Sequence, residues 1–408
     1  VRVRRRNPDR VDRLEGPLTV AEVLERLDVN PHTVLVIHAG ELVTAGTIVP
    51  DEAELEVRPV ISGGADDGPA CCACRGPAVI EEPRHRSAWC GPHFVDHVQA
   101  QVRKAVDAPR TRTWTGDDGH PGQRPHDGRM FSYDDRILVA VSGGKDSLAL
   151  WHALLAMGYR ADGLYVGLGI GGYSDRSARV CRDFAQRHAT PRGAVLHEVD
   201  LADVYGYTIP AGSRAAERPT CGVCGLSKRY VFNRVAVDEG YDVMATGHNL
   251  DDEAATLLGN TIRWQDGFLA RQRPVLAATG DTQVRKVKPL YRLSEREMAA
   301  YCVLAGIDYV VEECPLVEGN TGHELKEALN LLERSSPGIK AQFLFGFLDR
   351  EADHWQPGRA DRDAADLGAC DSCGMPTTTD TCAFCRQRER ITAVLPVVAT
   401  GATELEHA

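Results

Sequence analysis

The run Ile137-Leu138-Val139-Ala140-Val141, followed at once by Ser142-Gly143-Gly144-Lys145-Asp146-Ser147, constrains this chain more than any other feature. Five apolar residues bounded by a glycine turn read as a strand buried on both faces, as in a parallel sheet. The apolar stretch from Leu148 to Met157 reads as the helix that follows. A glycine loop between a strand and a helix aims backbone N–H groups and the positive helix end at one spot, a place for phosphate. The loop does not have the Gly-x4-Gly-Lys-Ser/Thr spacing of a Walker sequence.

Strand-like runs at 163–167, 194–199 and 242–246 alternate with helix-like runs near 177–188 and 227–239. That alternation predicts an α/β fold, a doubly wound parallel sheet, over residues 134–348. After the run at 242–246 comes Gly247-His248-Asn249-Leu250-Asp251-Asp252-Glu253, which opens another helix. Paired carboxylates beside a phosphate site suit Mg²⁺, an oxygen-seeking ion. Taken alone, they equally suit the positive end of a helix.

The chain has 13 cysteines, most in short pairs, and pairs of that kind in a protein expected to be cytosolic point to metal rather than disulfides. Cys71-x-x-Cys74 with Cys90-x-x-His93, and Cys370-x-x-Cys373 with Cys382-x-x-Cys385, each supply four ligands for tetrahedral zinc. Cys72 adjoins the first set, but Cys71 gives the better spacing. Cys181 and Cys302 fall in helix-like segments and read as buried apolar fillers. Cys221, Cys224 and Cys314 are left as a three-thiol set. Its possible uses are an iron–sulfur cluster with one iron open, persulfide chemistry, or structural zinc.

Residues 1–64 read strand, strand, helix, strands. Thr19-Val20-Ala21-Glu22 is a capping box, and the segment ends Ser62-Gly63-Gly64. This resembles the β-grasp order of the ubiquitin-like sulfur carriers, whose Gly-Gly tail is open to an activating enzyme. A plain flexible linker is the other reading of Gly63-Gly64. Gly64 is internal, so a carboxylate there requires cleavage. The domain plan is then 1–64 carrier-like unit, 65–70 linker, 71–133 N-terminal zinc finger and connecting segment, 134–348 catalytic domain, and 349–408 C-terminal zinc finger and tail.

The strand–loop–helix at 137–157 resembles the PP-loop ATP pyrophosphatases, a HUP-like fold. The resemblance implies that Ala140, Val141, Ser142 and Val166 contact ATP and that Gly143, Gly144, Lys145, Asp146 and Ser147 hold its phosphates. It also implies that Asp146 helps place Mg²⁺, that Gly247 lies at the adenine nucleotide, and that Asp252 lies near the reacting group. Cys221-Gly222-Val223-Cys224-Gly225-Leu226-Ser227-Lys228-Arg229-Tyr230, then Glu312-Glu313-Cys314-Pro315 and the two zinc sets, keep the motif order of the tRNA 2-thiouridine synthetases over about 71–390. This similarity implies that the chain adenylates O2 of uridine 54 in the tRNA T-loop and replaces it with sulfur. The implied cofactors are a [4Fe-4S] cluster on Cys221, Cys224 and Cys314 and two Zn²⁺, with Lys228 and Asp252 as catalytic groups. The implied partners are tRNA, a sulfur donor or ubiquitin-activating-type enzyme, and a second copy of the chain. An anticodon-loop thiolase and a non-catalytic zinc-ribbon RNA-binding scaffold are the rival readings.

A formal charge of −11 argues against a uniformly basic nucleic-acid binder, but it leaves room for a local patch. Arg263-Trp264, Arg271, Arg273, Arg285-Lys286 and Lys288 are candidates. No apolar run reaches membrane-span length, and the basic start Val1–Arg6 lacks a following apolar core. The expected setting is cytoplasmic.

Overall fold

The computed structural model describes residues 1–5, 10–29, 31, 34–59, 70–110, 128–278, 282–317, 321–351, 355 and 368–395. In the N-terminal unit, β1 (Arg2–Arg5) and β2 (Arg10–Arg13) form a hairpin, and β3 (Leu18–Thr19) leads into α1 (Val20–Arg26). Four strands follow: β4 (Val34–His38), β5 (Glu41–Leu42), β6 (Ile48–Val49) and β7 (Glu54–Pro59). Thr19 N donates to the Glu22 carboxylate at 2.7 Å and Glu22 N donates to the Thr19 hydroxyl at 3.2 Å, so the capping box forms. The sheet order is β2-β1-β7-β4-β5, with β1 and β7 parallel and the other neighbours antiparallel. Side chains of β4 alternate: Val34 and Val36 face the unit's own core with Val3, Val23 and Leu55, while Leu35 and Ile37 join the main core of the chain. Both faces of this small sheet are therefore used. Gly63 and Gly64 lie outside the described residues.

The first cysteine pairs flank a hairpin of β8 (Ile80–Glu82) and β9 (Ser87–Trp89), followed by α2 (Gly91–Asp107). Phe94, Val98, Val102 and Ala105 are buried along α2, a spacing of three to four that makes one apolar face.

The central layer runs β10 (Ile137–Val141), α3 (Lys145–Ala156), β11 (Ala161–Gly167), α4 (Gly171–Phe184), β12 (Leu196–Asp200), α5 (Leu201–Tyr205), α6 (Ile209–Ala216) and α7 (Thr220–Asp238). It continues through β13 (Val243–Thr246), α8 (Leu250–Ile262), α9 (Asp266–Leu269), β14 (Val275–Leu276), β15 (Arg285–Val287), α10 (Glu295–Leu304), α11 (Thr321–Ser335) and α12 (Ile339–Gly346). The sheet order is β12-β11-β10-β13-β15-β14, parallel except for the pairing of β14 with β15. Ile137, Val139 and Val141 face one core, while Leu138, with Leu164 and Met244 of the adjoining strands, faces the other. A strand between two cores needs apolar residues at every position, and this one has them.

Three helices start earlier than the sequence spacing indicates. α3 starts at Lys145 rather than Leu148, α4 at Gly171 rather than near Ser177, and α7 at Thr220 rather than near Ser227. For α7 the reason is tertiary. Gly222 and Gly225 each cost about 1 kcal/mol of helix propensity, but the C-terminal unit clamps this turn. That unit contains β16 (Gly368–Ala369), β17 (Pro376–Thr377) and α13 (Ala383–Val394). The Tyr230 and Phe384 rings stack with centroids 3.7 Å apart, and Gln387 Nε2 donates to Ser227 Oγ at 3.2 Å. Arg234 donates to the Cys373 carbonyl at 3.0 Å. Among the described residues, no helix is long and apolar enough to cross a membrane.

Candidate nucleotide and thiol site

The loop after β10 folds on itself. Ser142 N donates to Ser147 Oγ at 3.2 Å, and Ser147 Oγ donates to the Gly144 carbonyl at 3.0 Å. Gly143 has φ +77°, and a Cβ there would sit 3.0 Å from the Ser177 carbonyl oxygen, so only glycine fits without strain. Gly247, just past β13, presses on the start of α3: a Cβ would come within 2.8 Å of Ser147 N. The two glycine motifs are thus in backbone contact. Val310 N donates to the Gly143 carbonyl at 2.8 Å, which docks the loop bearing Cys314 on the same turn.

The acidic run at 251–253 divides. Asp251 is buried; Lys340 Nζ lies 2.5 Å from its Oδ1, and Glu295 N donates to its Oδ2 at 2.8 Å. Glu253 is buried against Lys288 Nζ at 2.7 Å and Gln272 Nε2 at 2.9 Å. Asp252 alone of the three turns to the cleft. It closes the cap of α8 by accepting from Asn249 N at 3.1 Å, and Asn249 Nδ2 reaches Asp146 Oδ1 at 3.0 Å. The carboxylates that face one site are therefore Asp146 and Asp252, one from each motif, and not the adjacent Asp251 and Asp252. Burial, with Glu295 and Asp252 adding to it against Lys145, pushes the Asp146 carboxyl up to about 6.

Two lysines complete the network. Lys145 Nζ lies 2.6 Å from Glu295 Oε1 and 3.2 Å from Asp146 Oδ2. Lys326 Nζ, from α11, lies 2.6 Å from Asp252 Oδ1 and 3.2 Å from Glu295 Oε2. Burial opposes charge on Glu295, but Lys145 and Lys326 together hold its carboxyl at about 2. Lys326 and Glu295 were not singled out in the sequence. No local motif marks them; only the fold brings them here.

On α7, Cys221, Cys224 and Lys228 fall at i, i+3 and i+7, one face of the helix. Burial raises the Cys224 thiol, Lys228 pulls it down, and Cys314 and Cys221 push it up again, so all four groups are electrostatic neighbours. Lys228 also acts on His248, which burial keeps below the ordinary imidazole range. The three sulfurs do not close to within 4.8 Å of one another, as the two zinc-type sets do. They converge from a helix start and a loop, with a lysine beside them. That arrangement suits a larger polynuclear group better than a single ion.

Cys71, Cys74, Cys90 and His93 come together, with Cys90 Sγ 3.1 Å from His93 Nδ1 and Cys74 Sγ 3.8 Å from Cys90 Sγ. Cys72 is exposed and does not belong to the set. Cys370, Cys373, Cys382 and Cys385 form the second set. Burial raises the thiols of Cys71 and Cys370, but backbone N–H groups of the knuckles outweigh it and bring both to about 6. Cys181 and Cys302 are buried, Cys302 donating to the Lys145 carbonyl at 3.4 Å. Of the basic residues proposed as an RNA surface, Lys288 is tied to Glu253, and Arg285 donates to the Met130 carbonyl at 2.9 Å. Neither is a free surface cation. Trp264 is 71% exposed.

A profile of the PP-loop domain matches residues 126–316. Over 321 residues the chain is 44% identical to the tRNA-5-methyluridine(54) 2-sulfurtransferase of Thermus thermophilus, covering 79% of this chain and 91% of that protein. The chain belongs to the PP-loop tRNA 2-thiolation family, and it is a sulfurtransferase enzyme. It is 37% identical to the protein of the same name from Pyrococcus horikoshii, over 78% of this chain and 92% of the relative. The solved U34-tRNA thiolase NcsA from Methanococcus maripaludis, with its [4Fe-4S] cluster, is 22% identical with a TM-score of 0.59, over 78% of this chain and 95% of that one. The two share a fold.

Proposed function

We propose that this sulfurtransferase 2-thiolates the T-loop uridine of tRNA, activating the uridine O2 with ATP before sulfur replaces it. The observation that carries the proposal is the 2.8 Å hydrogen bond from Val310 N to the Gly143 carbonyl, which seats the loop bearing Cys314 on the phosphate turn. It joins the sulfur side of the cleft to the ATP side. The Thermus and Pyrococcus relatives, both named for thiolation of 5-methyluridine 54, support the T-loop position.

The C2 carbonyl oxygen of uridine leaves badly. Its attack on the α-phosphorus of ATP expels pyrophosphate and turns that oxygen into part of AMP, a good leaving group. Backbone N–H groups of Gly143 to Ser147 and the start of α3 receive the phosphates. Asp146 and Asp252 would hold Mg²⁺, which when bound would neutralise phosphate charge, and Lys145 and Lys326 would meet the charge on departing pyrophosphate. Hydrosulfide, already at the oxidation level of sulfide, then adds at C2; the C2–O bond breaks, AMP departs with the old oxygen, and the S–H proton replaces the N3 proton lost on adenylation. Lys228 orients the reacting groups and passes that proton to N3. Cys221, Cys224 and Cys314 would hold the iron–sulfur cluster, which when bound supplies an iron position open to an external sulfur. The two other sets would each hold zinc.

The sheet order β2-β1-β7-β4-β5 supports reading the N-terminal unit as a β-grasp and a fused sulfur-carrier-like domain. Its last strand ends beside the nucleotide loop: the Arg58 guanidinium lies 5.8 Å from the centre of the Tyr309 ring, next to Val310. Fusion would raise the carrier's effective concentration at the site. The deciding experiment is anaerobic reconstitution with iron and sulfide, followed by nucleoside analysis of treated tRNA and pyrophosphate release from ATP. Wild type should form 2-thiouridine at the T-loop position and release pyrophosphate only with tRNA, while Cys314→Ser should form none. Thiolation at an anticodon nucleotide, or pyrophosphate release indifferent to tRNA, would refute the reading.

A further inference from the structure

A cleft of about 660 Å³ lies between the first zinc-type hairpin and α12, outside the nucleotide site. Arg84, His85, Arg292, Phe345, Asp349 and Arg350 line it. Arg292 is 9% exposed. Its guanidinium carbon lies 5.2 Å from the centre of the Phe345 ring, and its Nε donates weakly to Gln101 Oε1 at 3.4 Å. No carboxylate pairs with it among the described residues. A guanidinium this buried ordinarily has an anion against it, because a buried charge without a counter-charge is strongly destabilising.

The rest of the cleft does not supply that anion. Arg84 and Glu297 neutralise each other through hydrogen bonds of 2.8 and 3.0 Å. Asp349 is taken by Arg110. Burial, helped by Arg84, brings the His85 imidazole down to about 4, so it adds no charge at neutral pH. Arg350 is exposed on the rim, with no ion pair among the described residues. The cleft is left with two uncompensated guanidinium groups in a chain of net charge −11. Arginine forks match phosphate oxygens two at a time.

The cleft also shares two elements with the nucleotide site. Arg292 stands three residues before Glu295, which holds Lys145 and Lys326. α12, which supplies Phe345, also supplies Lys340 to Asp251. A ligand seated here is fixed relative to the reacting centre.

We propose that this cleft binds a backbone phosphate of the RNA substrate, with Arg292 as its principal ligand and Arg350 at its mouth. The inference rests on the reading that the substrate is tRNA. The test is equilibrium binding of unmodified tRNA to the full-length protein over a range of NaCl, for wild type, Arg292→Gln, Arg292→Lys and Arg350→Glu. Arg292→Gln is expected to weaken binding about tenfold and reduce the slope of log affinity against log salt by about one. Arg292→Lys should keep the slope while losing part of the affinity. Arg350 is exposed, so Arg350→Glu tests the cleft without disturbing the packing on Phe345, and it too should weaken binding. ATP affinity should stay at the wild-type value in all three.

Wild-type affinity and slope in both Arg292→Gln and Arg350→Glu would overturn the assignment. Failure of the wild-type protein to bind tRNA would overturn the tRNA reading itself, and this site with it. In a separate arm, inorganic phosphate is titrated against thermal stability. Stabilisation of wild type but not of Arg292→Gln, with tRNA binding equal in the two, would make this a small-anion site and refute the RNA assignment.

Discussion

Lys326 Nζ lies 2.6 Å from Asp252 and 3.2 Å from Glu295, and the other oxygen of Glu295 holds Lys145. One carboxylate thus sets the spacing of two lysines across the phosphate cleft. Lys326→Met should leave Asp252 uncompensated and misplaced. We expect tRNA-dependent pyrophosphate release to fall by about 10–100-fold, equivalent to about 1.4–2.7 kcal/mol, mostly in kcat. Lys326→Arg should recover part of it. Steady-state kinetics of the two variants check this, and an unchanged kcat in Lys326→Met would remove Lys326 from the site.

The adjacent aspartates should separate cleanly. Asp251 is a buried partner of Lys340, and Asp251→Asn leaves that ammonium without its counter-charge. The expected loss is about 3 kcal/mol of stability, read by urea unfolding. Asp252 faces the cleft and also caps α8. Asp252→Asn should cost no more than about 1 kcal/mol while abolishing thiolation. Equal stability losses in the two would contradict the division of roles.

These two residues also show what a sequence can and cannot disclose. The phosphate loop was legible because its function is local: strand, glycines and helix start are contiguous. The zinc-type sets were legible because their ligands come in short pairs. Asp251, Asp252 and Glu253 looked alike because helix rotation, and then distant lysines on α12 and β15's flank, decide which one turns to the cleft. Lys326 and Glu295 carry no motif and were missed. The start of α7 was misplaced because Gly222 and Gly225 argue against a helix locally, and packing by Tyr230 on Phe384 supplies what they lack.

Glu82 gives a pH test. Burial, reinforced by Glu297, pushes its carboxyl from 4.5 to about 8, whereas Glu297 stays ionised beside Arg84. Between those values the folded protein keeps a proton that the unfolded chain has released, so stability declines as pH rises across this window. Glu82→Gln keeps the neutral form at all pH. Its urea midpoint should change less between pH 5.5 and 8 than that of wild type; parallel declines would show that Glu82 is already ionised in the fold.

Gly247→Ala tests the contact between the two motifs. The added methyl would sit 2.8 Å from Ser147 N and 2.9 Å from the Asp146 carbonyl carbon, both backbone atoms at the start of α3. Neither can swing aside as a side chain would, so the turn after β13 must back away from the phosphate loop. Asn249 would then lose its 3.0 Å bond to Asp146. Nucleotide affinity should drop at least tenfold while both zinc-type sets, which lie in other units, keep their metal. Calorimetric titration with ATP and metal analysis of the same sample check the two halves together. Wild-type ATP affinity in Gly247→Ala would mean that the backbone contact does not shape the phosphate site.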